Sequence, residues 1–99
     1  MRIVYTKTAQ RHIASQIGYI IDNGSARAAE RMLKRILTYI RHTVAHYPKA
    51  ARYDPELDIF ETWVPRTPYV LLYRVDTQND QLIVLALFHG AQDRSGYVP

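Results

Sequence analysis

Gln81-Leu82-Ile83-Val84-Leu85-Ala86-Leu87-Phe88-His89 is apolar at every position from Leu82 to Phe88. A strand with one wet side alternates apolar and polar residues, so a run without alternation predicts a strand covered on both faces. Such a strand lies inside a sheet, and the rest of the chain must supply its neighbours and its two covers. Immediately upstream, Tyr69 to Asp76 is rich in β-branched and aromatic residues, and Thr77-Gln78-Asn79-Asp80 between the two runs is a polar hairpin loop. Ile59 to Val64 reads as a further strand, reached through a turn-rich stretch containing Pro48, Tyr53, Asp54 and Pro55.

The first half of the chain has a different period. Arg2 to Thr6 has the composition of a short opening strand, and then Ala9, Ile13, Ile17, Ile20 and Ile21 recur along one side of a helix. Thr6 or Thr8 can cap its start, and Asn23-Gly24 suits a left-handed stop. Ser25 offers the cap of a second helix ending before Pro48, with Ala29, Leu33, Ile36, Ile40 and Val44 on one side, widened by Met32 and Leu37. Its other face carries Arg27, Arg31, Lys34, Arg35 and Arg41, which reads first as a solvated face and second as a nucleic-acid stripe. The short connection predicts an antiparallel helix pair. The order is therefore β-α-α-β-β-β: an α+β fold over residues 1–99 as one domain, with a helical hairpin on one face of a mostly antiparallel sheet. Gly90 to Pro99 reads as a surface tail with room for a last helical turn.

The helices cover only one face of the 81–89 strand. The second face is either shielded by long neighbouring side chains or forms an apolar groove for a partner, and the groove is the expectation carried forward. Alternation groups Arg74 with Val70 and Leu72, and a guanidinium is costly to bury without a carboxylate, so Arg74 marks the face away from the helices. Asp76, Glu61 and Asp93 are its candidate partners within the chain, and a phosphate or acidic side chain is the alternative.

Composition narrows the chemistry. The 99 residues carry a net charge of +4 and no cysteine, which favours a polyanionic or acidic partner and excludes disulfides, thiolate metal sites and a cysteine nucleophile. No apolar run approaches the roughly 18 residues of a membrane helix, and Met1 to Thr6 lacks a signal-peptide core, so a cytoplasmic location is expected. No phosphate-binding glycine loop or nucleophile elbow is present. His42 and His46 lie four apart but lack a third ligand, and Glu56 and Asp58 read as surface carboxylates, so neither a metal nor a cofactor is expected. His89, Arg94 and Tyr97 follow the last strand. With Arg74 they could serve RNA cleavage, His89 or Tyr97 relaying a proton and the two arginines stabilising charge at phosphorus.

The element order, the segment Pro68-Tyr69-Val70-Leu71-Leu72-Tyr73-Arg74-Val75 and the ending Leu87-Phe88-His89-Gly90-Ala91-Gln92-Asp93-Arg94 resemble the RelE/ParE toxin superfamily, and more closely its ParE-like plasmid-stabilisation branch. The resemblance spans nearly the whole chain. It implies the toxin of a type II toxin–antitoxin system, silenced by a cognate antitoxin whose helix or extended tail wraps it. ParE-like members block DNA gyrase, whereas RelE-like members cut messenger RNA on the ribosome as metal-independent endoribonucleases. Arg74 matches the strand arginine of RelE-like nucleases but is common in ParE-like proteins too. There is no lysine after Lys49, and His89-Gly90-Ala91 stands where those nucleases carry a late His-Tyr. The resemblance therefore implies a non-enzymatic gyrase inhibitor, with the RelE-like nuclease as the alternative. Trp63, Arg66, Leu72, Arg74, Phe88, His89 and Arg94 are the residues expected to meet target or antitoxin.

Overall fold

The computed structural model describes residues 1–90 and Tyr97. Strand β1 (Arg2–Tyr5) leads into helices α1 (Lys7–Asn23) and α2 (Ala26–Tyr39), and α2 continues as one π-helical turn over Ile40–Val44. Strands β2 (Arg52–Asp54), β3 (Ile59–Trp63), β4 (Tyr69–Asp76) and β5 (Gln81–His89) follow. They form one five-stranded sheet in the order β1-β5-β4-β3-β2, in which β1 runs parallel to β5 and the remaining neighbours are antiparallel. The fold is the expected α+β arrangement with one strand more. β2 lies in the stretch read as turn; its three residues are all exposed, too few and too wet for alternation to mark them.

The helix caps follow side-chain chemistry. Thr6 Oγ1 accepts from the Ala9 amide and Ser25 Oγ from the Ala28 amide, each at 3.0 Å, satisfying donors that a helix start leaves unpaired. Gly24 ends α1 with φ −148°, so the left-handed stop expected there is not used. The stripe of α2 passes unbroken into the π turn, where Ile36, Ile40 and Val44 are buried and the Ala45 amide donates to the Ile40 carbonyl at 2.9 Å. These residues, with Ala9, pack on Phe60, Tyr69, Leu71, Tyr73, Leu82, Val84 and Leu87 from the sheet. Tyr73 crosses this core to donate its hydroxyl to the Pro48 carbonyl at 2.7 Å, and burial pushes that hydroxyl up to about 12.

A β-bulge explains how β5 serves two faces. Leu72 pairs with Ala86 but Tyr73 pairs with Val84, so Leu85 is the extra residue. Leu82, Val84 and Leu87 face the helices, while Leu85, Ala86 and Phe88 join Ile59, Val70 and Leu72 on the second face. None of these six residues is more than 8% exposed, and a concavity of about 350 Å³ remains over Ile59 and Leu72, bounded by Arg52, Leu57, Glu61 and Tyr97. Tyr97 packs edge-on against Phe88, with ring centroids 5.4 Å apart. That concavity is what the described residues show of the groove expected on this face. Tyr97 is half-buried against the face, and the remainder of the tail lies outside the described residues.

One edge of β5 is sealed by α1. β1 ends opposite Val84, and beyond it the Thr6 amide donates to the Val84 carbonyl and Thr6 Oγ1 donates to the Leu85 carbonyl, both at 3.1 Å. Farther along, the Leu87 amide donates to His12 Nδ1 at 3.3 Å. Helix side chains here take the place of a missing strand, so these edge groups of the central strand are not left unpaired.

Candidate partner-binding surfaces

Arg74 lies on the second face, as alternation placed it, and part of its guanidinium is engaged within the chain. Nε donates to the Asp58 carbonyl at 3.0 Å and Nη2 to the Leu57 carbonyl at 2.9 Å, and the Asp58 carboxylate stands 3.5 Å from Nε. Asp58 was not among the carboxylates considered from sequence, of which Asp93 lies outside the described residues. Asp58, in the left-handed region at φ 54°, also accepts from the Tyr53 hydroxyl at 2.8 Å. The guanidinium therefore stitches the β2–β3 turn to β4.

The other sequence candidates separate into two groups. Leu72, Phe88 and Tyr97 share the second face with Arg74, with the Tyr97 hydroxyl 3.5 Å from the Leu85 carbonyl. Burial pushes the Tyr97 hydroxyl up, and the positive Arg74 offsets this only in part, so the group holds its proton at neutral pH and is poorly suited to act as a base. His89 stands opposite Tyr69 in the β4–β5 ladder and meets its ring edge-on at 6.1 Å, which places it on the helix side. Five ladder positions separate Tyr69 from Arg74, roughly 17 Å of strand. His89 and Arg74 thus lie on opposite faces and are not brought to one point. Arg94 lies outside the described residues.

Trp63 and Arg66 flank the β3–β4 turn. Trp63 is 56% exposed and its ring covers Gly90, where a Cβ would overlap the indole. Backbone approaches this glycine as well, since the Gly90 amide donates to the Pro68 carbonyl at 2.7 Å. Arg66 occupies the left-handed region at φ 61° and offers its carbonyl to Arg35 Nη1 at 3.3 Å.

Two further concave surfaces were not foreseen in the sequence, one between the successive helices and one between α2 and the distant β3–β4 turn. An apolar groove of about 480 Å³ runs between Ile13, Ala14 and Ile17 of α1 and Leu33 and Leu37 of α2, closed at one end by Tyr5. The stripes that predicted the helices are only partly consumed by the core, and their unburied remainder forms this groove. A second cleft, about 590 Å³, lies between α2 and the β3–β4 turn and is lined by Arg31, Lys34, Arg35, His42 and Arg66 around Tyr39. Among the described residues no three His, Asp or Glu side chains converge as they would around a metal ion. No helix among them is long and apolar enough to cross a membrane.

Comparison with known proteins agrees with this architecture. Residues 3–94 match the family model described as ParE toxin of type II toxin–antitoxin system, parDE. No curated protein matches. Among solved structures, the chromosomal ParDE system from P. aeruginosa superposes with a TM-score of 0.73 at 13% identity, over 90% of this chain and 95% of that one. The RelBE2 complex from Mycobacterium tuberculosis gives 0.61 at 19% identity, over 89% and 95%. The intact RelBE complex from E. coli gives 0.57 at 13%, over 92% and 98%. At such identities the superpositions speak for the fold alone.

Proposed function

Because this chain belongs to the ParE toxin family of type II toxin–antitoxin systems, we propose that it arrests growth by blocking DNA gyrase and is silenced in the cytoplasm by a cognate antitoxin. The observation that carries the choice of gyrase over RNA cleavage is the state of Arg74. Two of its three guanidinium nitrogens donate to the carbonyls of Leu57 and Asp58, which ties it to the β2–β3 turn, and His89 lies on the opposite face of the sheet. A nuclease needs its charge-stabilising and proton-transferring groups around one phosphate. A protein inhibitor needs only a complementary surface.

Three structural neighbours are toxin–antitoxin complexes, and this chain offers a surface suited to such a partner. An amphipathic helix laid along α1 and α2 would fill the apolar groove at Ile13, Ile17, Leu33 and Leu37, and acidic residues on it would meet a chain of net charge +4. Target contact is assigned to the exposed end of the sheet, at Trp63 and Arg66. Leu72 and Phe88 are largely buried on the second face.

Induction of the chain in a bacterial host, with and without its antitoxin gene, tests the proposal. Arrest with intact messages, impaired plasmid supercoiling and rescue by the antitoxin is the expected result. Rapid message cleavage would overturn the gyrase assignment and restore the nuclease reading.

A further inference from the structure

Of the basic cleft, only Arg66 has a role in the function proposed above. Arg31, Lys34, Arg35, Thr38, Tyr39 and His42 follow one another at helical spacing, so one continuous face of α2 and its π turn forms the first wall. The second wall is the β3–β4 turn, which brings Arg66 to face them. Among the described residues, none of these four arginines and lysines makes an ion pair with a carboxylate. Like charges four apart on a helix, as at Arg31 and Arg35, repel one another and destabilise it slightly. Gathering them in a concavity concentrates the positive potential where an anion would lie.

We propose that this cleft binds single-stranded nucleic acid by its phosphodiester backbone, irrespective of the gyrase assignment. Three of its four fixed cations are arginines, whose planar forks match phosphate oxygens. Cations stand on both walls, so a single strand laid between them is neutralised from two sides, whereas a duplex can meet only the rim. Tyr39 donates to or accepts from Thr62 Oγ1 at 2.9 Å, which fixes its ring in the cleft wall as a stacking surface for a base. No acidic side chain lines the cleft to repel the strand. Nothing in this arrangement reads a base edge or a 2′-hydroxyl, so DNA and RNA of the same sequence bind alike.

The test is fluorescence anisotropy of the full chain with labelled oligo-dT and oligo-U over a salt series. Four neutralised phosphates give a slope of log affinity against log salt of about −3 for a single strand. Combined Arg31→Gln, Lys34→Gln and Arg35→Gln substitutions, all at exposed positions, reduce its magnitude by about 2. Arg11→Gln on the other helix leaves it unchanged. The inference fails if Arg11→Gln weakens binding as much as a cleft substitution, which would indicate attraction to net charge alone. It also fails if duplex DNA or a polyglutamate peptide binds more tightly than the single strand at equal salt, or if RNA and DNA differ by more than tenfold.

Discussion

Arg74 shows how a side chain's face and its work are separate questions. Alternation along β4 located it on the side away from the helices, but its partners are the carbonyls of Leu57 and Asp58 in a turn whose conformation no periodic signal describes. Replacing it by alanine frees that turn. With the ion pair more than a third exposed and screened, the expected loss is about 1 kcal/mol, read as a lower melting temperature. Growth arrest by Arg74→Ala should persist at temperatures where it stays folded, and abolished toxicity with an unchanged fold would return the residue to catalysis. Gly90 carries a second prediction. A methyl there displaces the Trp63 ring toward solvent, so Gly90→Ala should shift the emission of this single tryptophan to the red. An unchanged spectrum would mean that the ring does not rest on the glycine. The group that approaches position 90 was not legible in the sequence, because Trp63 comes from another strand.

At the scale of elements, periodicity made α1 and α2 legible, while β4 and β5 were legible from their length and their β-branched, aromatic and apolar composition. β2 is not, and neither is the bulge at Leu85: a run apolar at every position reads the same whichever residue is extra. The seal along β5 depends on a helix residue in the place of a strand, and its acceptor is titratable. Burial, assisted by the nearby Arg11, holds His12 below the ordinary imidazole value. The unfolded chain therefore takes up this proton first. The contribution of the Leu87 to His12 hydrogen bond is complete above the ordinary value of about 6.5 and declines as pH falls from there through the lower folded value. His12→Leu removes that pH dependence and leaves the Leu87 amide without its acceptor, at a cost of about 1–3 kcal/mol near neutrality. Melting curves between mildly acid and neutral pH check this: wild type should lose stability relative to the variant on acidification, and parallel curves would refute the assignment.

Across the whole molecule, the described residues bury the apolar side chains of β5 on both faces of the sheet and leave an apolar groove between the helices. The sequence reading placed the apolar surplus on the sheet because it was visible in β5, whereas the part of the helix stripes left outside the core depends on how the two helices pack. A partner filling the helix groove binds only the folded form. Antitoxin present at 100 times its dissociation constant should stabilise the fold by about 2.7 kcal/mol, seen as a concentration-dependent rise in melting temperature. An Ile17→Glu substitution in the groove should diminish that rise while leaving growth arrest intact, and an undiminished rise would place the antitoxin elsewhere.

The central claim is tested most directly with purified components, by adding the chain to DNA gyrase, ATP and relaxed plasmid and following supercoiling, with and without antitoxin. The account predicts that supercoiling falls as the chain is added and returns with stoichiometric antitoxin, and that Arg74→Ala inhibits like wild type. Undiminished supercoiling at a concentration of chain that cleaves messenger RNA on ribosomes would contradict it.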